Sequence, residues 1–157
     1  MGIYDTALER NAANYTPLSP VSFLAKAAAV YPMRTAVVHG TLRRTWGEVY
    51  TRCRRLASAL ERRGIGKGDT VAAMLPNIPA MVELHFGPAM IGAVVNTLNT
   101  RLDAEAIAFM LDHADAGHLV VDRHAVEVAV VTEFDRDEVL QAFGADALAR
   151  VFELALA

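Results

Sequence analysis

Two short apolar runs bracket a longer one in the middle of the chain. Val71 to Leu75 stops at Pro76-Asn77, Ile78 to Ile91 is apolar over a helical length, and Ala93 to Val95 stops at Asn96. Gly92 separates the second run from the third. The short runs lack polar alternation, so both of their faces are expected to be covered, as in a parallel sheet. Asn77 is the expected cap of the intervening helix, and Pro79 suits its first turn. Pro88 falls in the helix interior, where it removes the bond to the Leu84 carbonyl. Asp103 then caps a helix whose buried stripe is Ile107, Met110, Leu111 and Ala114. Gly117 is expected to end it, and His118 to Val121 forms a third buried strand. The order β, α, β, α, β predicts an α/β fold with a short, largely parallel sheet flanked by helices.

Upstream, residues 1–19 form a polar lead-in. Ser19-Pro20 opens a helix with stripe Val21, Leu24, Ala28 and Tyr31, which Pro32 stops. Thr35 to His39, Gly40-Thr41 and Leu42 to Thr45 read as strand, turn and strand, a small hairpin. Thr45 and Glu48 have capping-box spacing for the next helix. That helix buries Trp46, Val49, Cys53, Leu56 and Leu60, and Arg52, Arg54, Arg55, Arg62 and Arg63 read as a solvated face. Gly64 is its left-handed stop. Downstream, Val126 to Val131 suits a fourth strand or a helix. Leu140, Phe143, Leu148, Val151, Phe152 and Ala155 mark one or two amphipathic helices broken at Gly144. The chain thus divides into residues 1–122 and a tail, 123–157, expected to pack on the same domain.

Composition narrows the function classes. The 157 residues are enough for one domain with a real core. With 54% hydrophobic and 7% aromatic residues, that core is built from Ala, Val and Leu. A net charge of −3 argues against a nucleic-acid partner, because phosphate neutralisation needs a basic surface. The single Cys53 leaves no internal disulfide and fits a reducing compartment, with a cytoplasmic location expected. Mean hydropathy is +0.26, so a membrane span has to be tested. The longest uncharged run, Leu84 to Thr100, contains Gly87-Pro88, Asn96 and Asn99 and reads as buried core, not a span.

The candidate chemistry is sparse. Gly64 to Asp69 (GIGKGD) looks like a phosphate loop, but it follows a helix and precedes a strand, and Gly follows its Lys. It reads as an αβ turn needing positive φ. His113 and His118, near Asp112, Asp115 and Asp122, lack a metal-ligand spacing. His85 reads as a hydrogen-bonded core or interface residue and Cys53 as an inert buried thiol. No Gly-x-Gly-x-x-Gly follows a strand, and no Gly-x-Ser-x-Gly elbow is present. The loops at Pro76-Asn77 and Asn96 to Thr100 remain as a weaker, flavodoxin-like nucleotide site. On residues alone no catalytic, cofactor-binding or metal site is assigned.

An ordered series of short motifs goes further. It comprises Tyr31-Pro32, Thr45-Trp46 before the Arg-rich helix, Gly64-Ile65 with Gly68-Asp69, Leu75-Pro76-Asn77, and Asn96-Thr97-Leu98-Asn99 with Arg101-Leu102. From Pro17 to about Asp122 the chain resembles the N-terminal portion of an AMP-forming acyl-CoA synthetase of the adenylate-forming superfamily. The wording of Asn96 to His113 is most similar to the branch acting on medium- or long-chain fatty acids. The resemblance implies a two-step reaction, from ATP and a carboxylate to acyl-adenylate and pyrophosphate, then displacement of AMP by CoA thiol. It also implies ATP, Mg²⁺ and CoA for full-length members, with none bound by this chain alone. The family's phosphate loop, Tyr-Gly-x-Thr-Glu motif, ribose-binding Asp and catalytic Lys have no counterpart here, and the tail after Asp122 departs from the family pattern. Two readings follow. The chain is a truncated synthetase portion, inactive alone and partnered by the remainder of the enzyme, or it is a non-catalytic α/β module that forms a homo-oligomer.

Overall fold

A computed structural model of the chain describes residues 10–123 and 127–132. The elements run α1 (Pro20–Val30), β1 (Thr35–His39), β2 (Leu42–Thr45), α2 (Trp46–Glu61), β3 (Thr70–Met74), α3 (Pro79–Met90), β4 (Val94–Thr97), α4 (Ala104–His113), β5 (Ala116–Arg123) and β6 (Glu127–Thr132). The amphipathic helices expected in the tail lie outside the described residues.

The main sheet has the order β4-β3-β5-β6. Strands β4 and β5 both pair parallel to β3, and β6 pairs antiparallel to β5. The ambiguous run is therefore a strand over Glu127–Thr132, paired through Val120↔Val130 and its neighbours. The period-two geometry of β3 sorts its side chains between two cores. Val71, Ala73 and Leu75 pack with Leu60, Ile65 and Leu84 under α2 and α3. Ala72 and Met74 pack with Ile107, Ala108 and Leu111 under α4. Both faces of β3 and of the Leu119 to Val121 part of β5 are thus covered, as their unbroken apolar runs required, whereas β4, at the sheet edge, is not: Val94 and Thr97 are exposed. A third cluster, Leu24, Val49 and Cys53, joins α1 and α2, with Ala36, Val37 and Trp46 against it. It seats the separate β1–β2 hairpin on the α2 side.

Local chemistry explains most element ends. The Ser19 hydroxyl accepts from the Val21 N–H, with Pro20 in the first turn of α1. Thr45 and Glu48 form the reciprocal capping box of α2. After α2, the Ile65 N–H reaches the Leu60 carbonyl and the Gly64 N–H reaches Glu61, with Gly64 at φ +83°. This is a Schellman stop, and only glycine adopts that backbone without a Cβ penalty.

Several expectations are corrected. Asn77 does not cap α3: Ile78 holds the cap position and no side chain bonds there. The turn after α4 is made by Asp115, at φ +48°, and Gly117 lies inside β5. Asp tolerates the left-handed region because its short polar side chain bonds locally. On α4 the buried face uses Ala108, whereas Met110 is exposed. Tyr31, expected on the α1 stripe, is exposed too. In both helices the partner surface is narrower than the apolar stripe, so its rim stays in water.

Candidate functional site

Among the residues whose burial is described, the one buried charge is Glu83, on the second turn of α3. Its Oε1 accepts from Arg44 Nη1, at the end of β2. It also accepts from Arg52 Nε on α2 at 2.5 Å. A carboxylate taken out of water needs this compensation, and two guanidinium groups supply it. Glu83 in turn holds the Arg52 guanidinium above its ordinary value, the hydrogen bond between them being the largest cause. The arrangement ties β2, α2 and α3 at one point. Arg52 stays on the exposed face where it was expected, at 45% side-chain exposure, and the pairing with Glu83 is what was not foreseen. The sequence carried no local signal for it, since the two partners lie 39 and 31 residues from Glu83.

Beside this cluster is a cavity of about 330 Å³, lined by Arg52, Arg55, Leu56, Ala80, Glu83, Leu84 and Val120. A second cavity, of about 280 Å³, lies between the hairpin and the start of α3, where Asn77, His39 and His85 join Val37, Val38 and Ile78.

The sequence candidates fall apart spatially. In the GIGKGD loop, the Gly66 N–H is taken by Asp69 Oδ2 at 2.7 Å and the Gly68 N–H by the Gly92 carbonyl at 3.0 Å. Those amides are spent and a carboxylate occupies the turn, so no phosphate is cradled there. Loops 75–78 and 98–103 leave the adjacent strands β3 and β4. Asn99 Oδ1 accepts from the Arg101 N–H at 3.0 Å, an internal turn contact. The cavity that Asn77 lines includes no described residue of the Asn96 to Thr100 loop.

His113 stacks on Phe109 with ring centroids 5.5 Å apart. Among the described residues no group of three or more His, Cys, Asp or Glu side chains is placed to hold a metal ion. His85 is hydrogen-bonded, its Nδ1 lying 2.7 Å from the Met81 carbonyl one helical turn back, but it is exposed and so is not a core residue. Cys53 is fully buried, and burial, reinforced by the nearby Glu83 charge, pushes its thiol up to about 11. It is an inert core thiol, as read from the helical stripe.

The parallel sheet covered on both faces, with its hairpin seated on α2, is the N-terminal subdomain of an adenylate-forming enzyme. The chain belongs to the AMP-binding enzyme family, whose pattern it matches over residues 24–152. That match passes Asp122 into the tail, where the sequence was expected to leave the family.

The acetate–CoA ligase CCL3 of Humulus lupulus is 51% identical over 122 residues, which are 78% of this chain and 22% of the ligase. The peroxisomal acetate/butyrate–CoA ligase AAE7 of Arabidopsis thaliana is 52% identical over 117 residues, covering 74% and 21%. The chain thus spans about a fifth of the length of these curated relatives. Among solved structures, a putative long-chain-fatty-acid CoA ligase from Rhodopseudomonas palustris superposes with TM-score 0.64 at 36% identity, covering 66% of this chain and 26% of that one. The o-succinylbenzoate CoA synthetase of Bacillus subtilis, solved with its acyl-adenylate intermediate, gives 0.63 at 27%, covering 76% and 32%.

Proposed function

We propose that this chain is the N-terminal scaffold of a carboxylate–CoA ligase and performs no adenylation alone. The observation that carries this is the coincidence of a family match over residues 24–152 with a described fold in which the buried Glu83 and the Gly66 amide are spent on structure. In such a ligase a carboxylate oxygen attacks the α-phosphorus of ATP and pyrophosphate leaves. The CoA sulfur then attacks the acyl carbon, and AMP leaves. A poor electrophile is activated by stabilising charge on the phosphates. This chain's part is to present β3, β4 and β5 as a rigid layer for polypeptide that carries those groups.

The substrate class is a monocarboxylate. The wording of Asn96 to His113 supports a medium- or long-chain acid, as does the Rhodopseudomonas likeness at 36% identity. The relatives at 51% and 52% are named for acetate and butyrate, which supports a short one. Among the described residues no helix is long and apolar enough to cross a membrane. A cytoplasmic location stays part of this reading, and imaging the tagged chain separates it from the peroxisomal location in the Arabidopsis relative's name.

Replacing the matching stretch of the Humulus ligase with this chain tests the scaffold role. The hybrid should retain ATP–pyrophosphate exchange to within about tenfold, and running acetate, butyrate, octanoate and palmitate side by side reads the chain-length preference. A folded hybrid without exchange rejects the reading. So does robust exchange by the isolated chain. The other reading, an interaction or oligomerisation module, is favoured by the exposed Phe23, Val30, Tyr31 and Met33 on and after α1. A stable homodimer of the isolated chain in sedimentation would favour it.

A further inference from the structure

We propose that the cavity between α2 and α3 binds a small amphiphilic carboxylate, a reading that goes beyond the scaffold role and does not rest on it. The cavity, about 330 Å³, is within the range of small-ligand sites. Its apolar lining comes from Leu56, Ala80, Leu84 and Val120. Leu84 and Val120 are each 1% exposed, so their walls are set by the core and not by mobile surface. Its polar lining is Arg52, Arg55 and Glu83.

The charge balance selects the ligand's sign. Glu83 is shared by Arg44 and Arg52, both on its Oε1, so that trio keeps one positive charge. Arg55 adds another, and among the described residues it makes no ion pair or hydrogen bond. Arg52 bonds Glu83 through Nε, and its terminal nitrogens retain N–H groups able to donate. Two guanidinium groups beside an apolar wall suit a carboxylate head with a hydrocarbon body. Inorganic phosphate satisfies only the first half of that description, and an alcohol only the second.

Isothermal titration of the full chain with octanoate, octanol and inorganic phosphate tests this at low ionic strength. Octanoate should bind at least about tenfold more tightly than either comparison compound, the difference expected of one charge-assisted contact. Arg55→Gln, at an exposed position, should weaken octanoate about tenfold and leave thermal unfolding unchanged. Ala80→Leu, which fills the cavity from the first turn of α3 with a strong helix former, should abolish octanoate binding. The proposal is overturned if octanoate does not bind, if octanol binds equally, or if both variants bind octanoate like the parent. Exchange activity of a ligase hybrid bears on the scaffold role alone, so the two can fail separately.

Discussion

Glu83 is the buried charge of the described fold. Its side chain is 8% exposed, against 19% for Arg44 and 45% for Arg52. Glu83→Gln keeps the shape and removes the charge, leaving two guanidinium groups facing each other. Urea denaturation should show a loss of about 2 kcal/mol, below the ~3–5 kcal/mol of a fully buried pair because Arg52 reaches solvent. Arg52→Ala should cost only about 0.5 kcal/mol, since Arg44 still neutralises the carboxylate. Equal losses for the two variants would contradict the shared-acceptor geometry. Cys53 supplies a second residue-scale prediction. Its folded pKa, about 11, lies above the ordinary thiol value of 9.0. Between those values the unfolded chain releases the proton first, so stability falls as pH rises from 9 towards 11. Cys53→Ala should flatten that alkaline slope, and at pH 8 a thiol reagent should label Cys53 only in denaturant.

At the scale of elements, the α2–α3 contact is set by a missing side chain. A Cβ added at Gly87 would lie 2.7 Å from Leu56 Cδ2 and 3.2 Å from Leu56 Cβ. Rotating the leucine moves Cδ2 but leaves the tight approach to its Cβ, which only a shift between α2 and α3 relieves. Gly87→Ala should therefore destabilise by about 1–3 kcal/mol, despite the gain of roughly 1 kcal/mol that alanine brings to a helix interior. The double variant Gly87→Ala with Leu56→Ala should recover part of the loss, and a thermal-melt double-mutant cycle measures the coupling. Strict additivity would show that the two positions do not touch. The starts of α1, α2 and α4 were legible in the sequence because a cap involves neighbours two or three residues apart. The start of α3 was not. Asn77 has cap chemistry, but the chain leaving β3 sets Ile78 at the helix boundary and Asn77 in the hairpin-side cavity. The αL turn before β5 fell on Asp115 for a related reason. The β3–β5 register pairs Thr70 with Ala116, so the turn has to be finished at Asp115, two residues before Gly117.

For the whole molecule, two cores share one sheet. Leu60 belongs to the layer under α2 and α3, and Leu111 to the layer under α4. Leu60→Ala and Leu111→Ala should each cost about 2–5 kcal/mol and each preserve a single unfolding transition, because β3 contributes to both layers. Two transitions in calorimetry would show that the layers fold independently. The sequence by itself determined the α/β class, the hairpin, the buried character of β3 and β5, the burial of Cys53 and the family. Each depends on local periodicity, on short-range caps or on an ordered string of motifs. The tertiary structure alone decided the strand order β4-β3-β5-β6, the exposure of Met110 and His85, and the pairing of Glu83 with Arg44 and Arg52. These depend on which distant segments meet, and no local pattern records that. An acidic residue on an apolar helix and arginines on an amphipathic one are ordinary surface chemistry until the chain folds them onto a single oxygen.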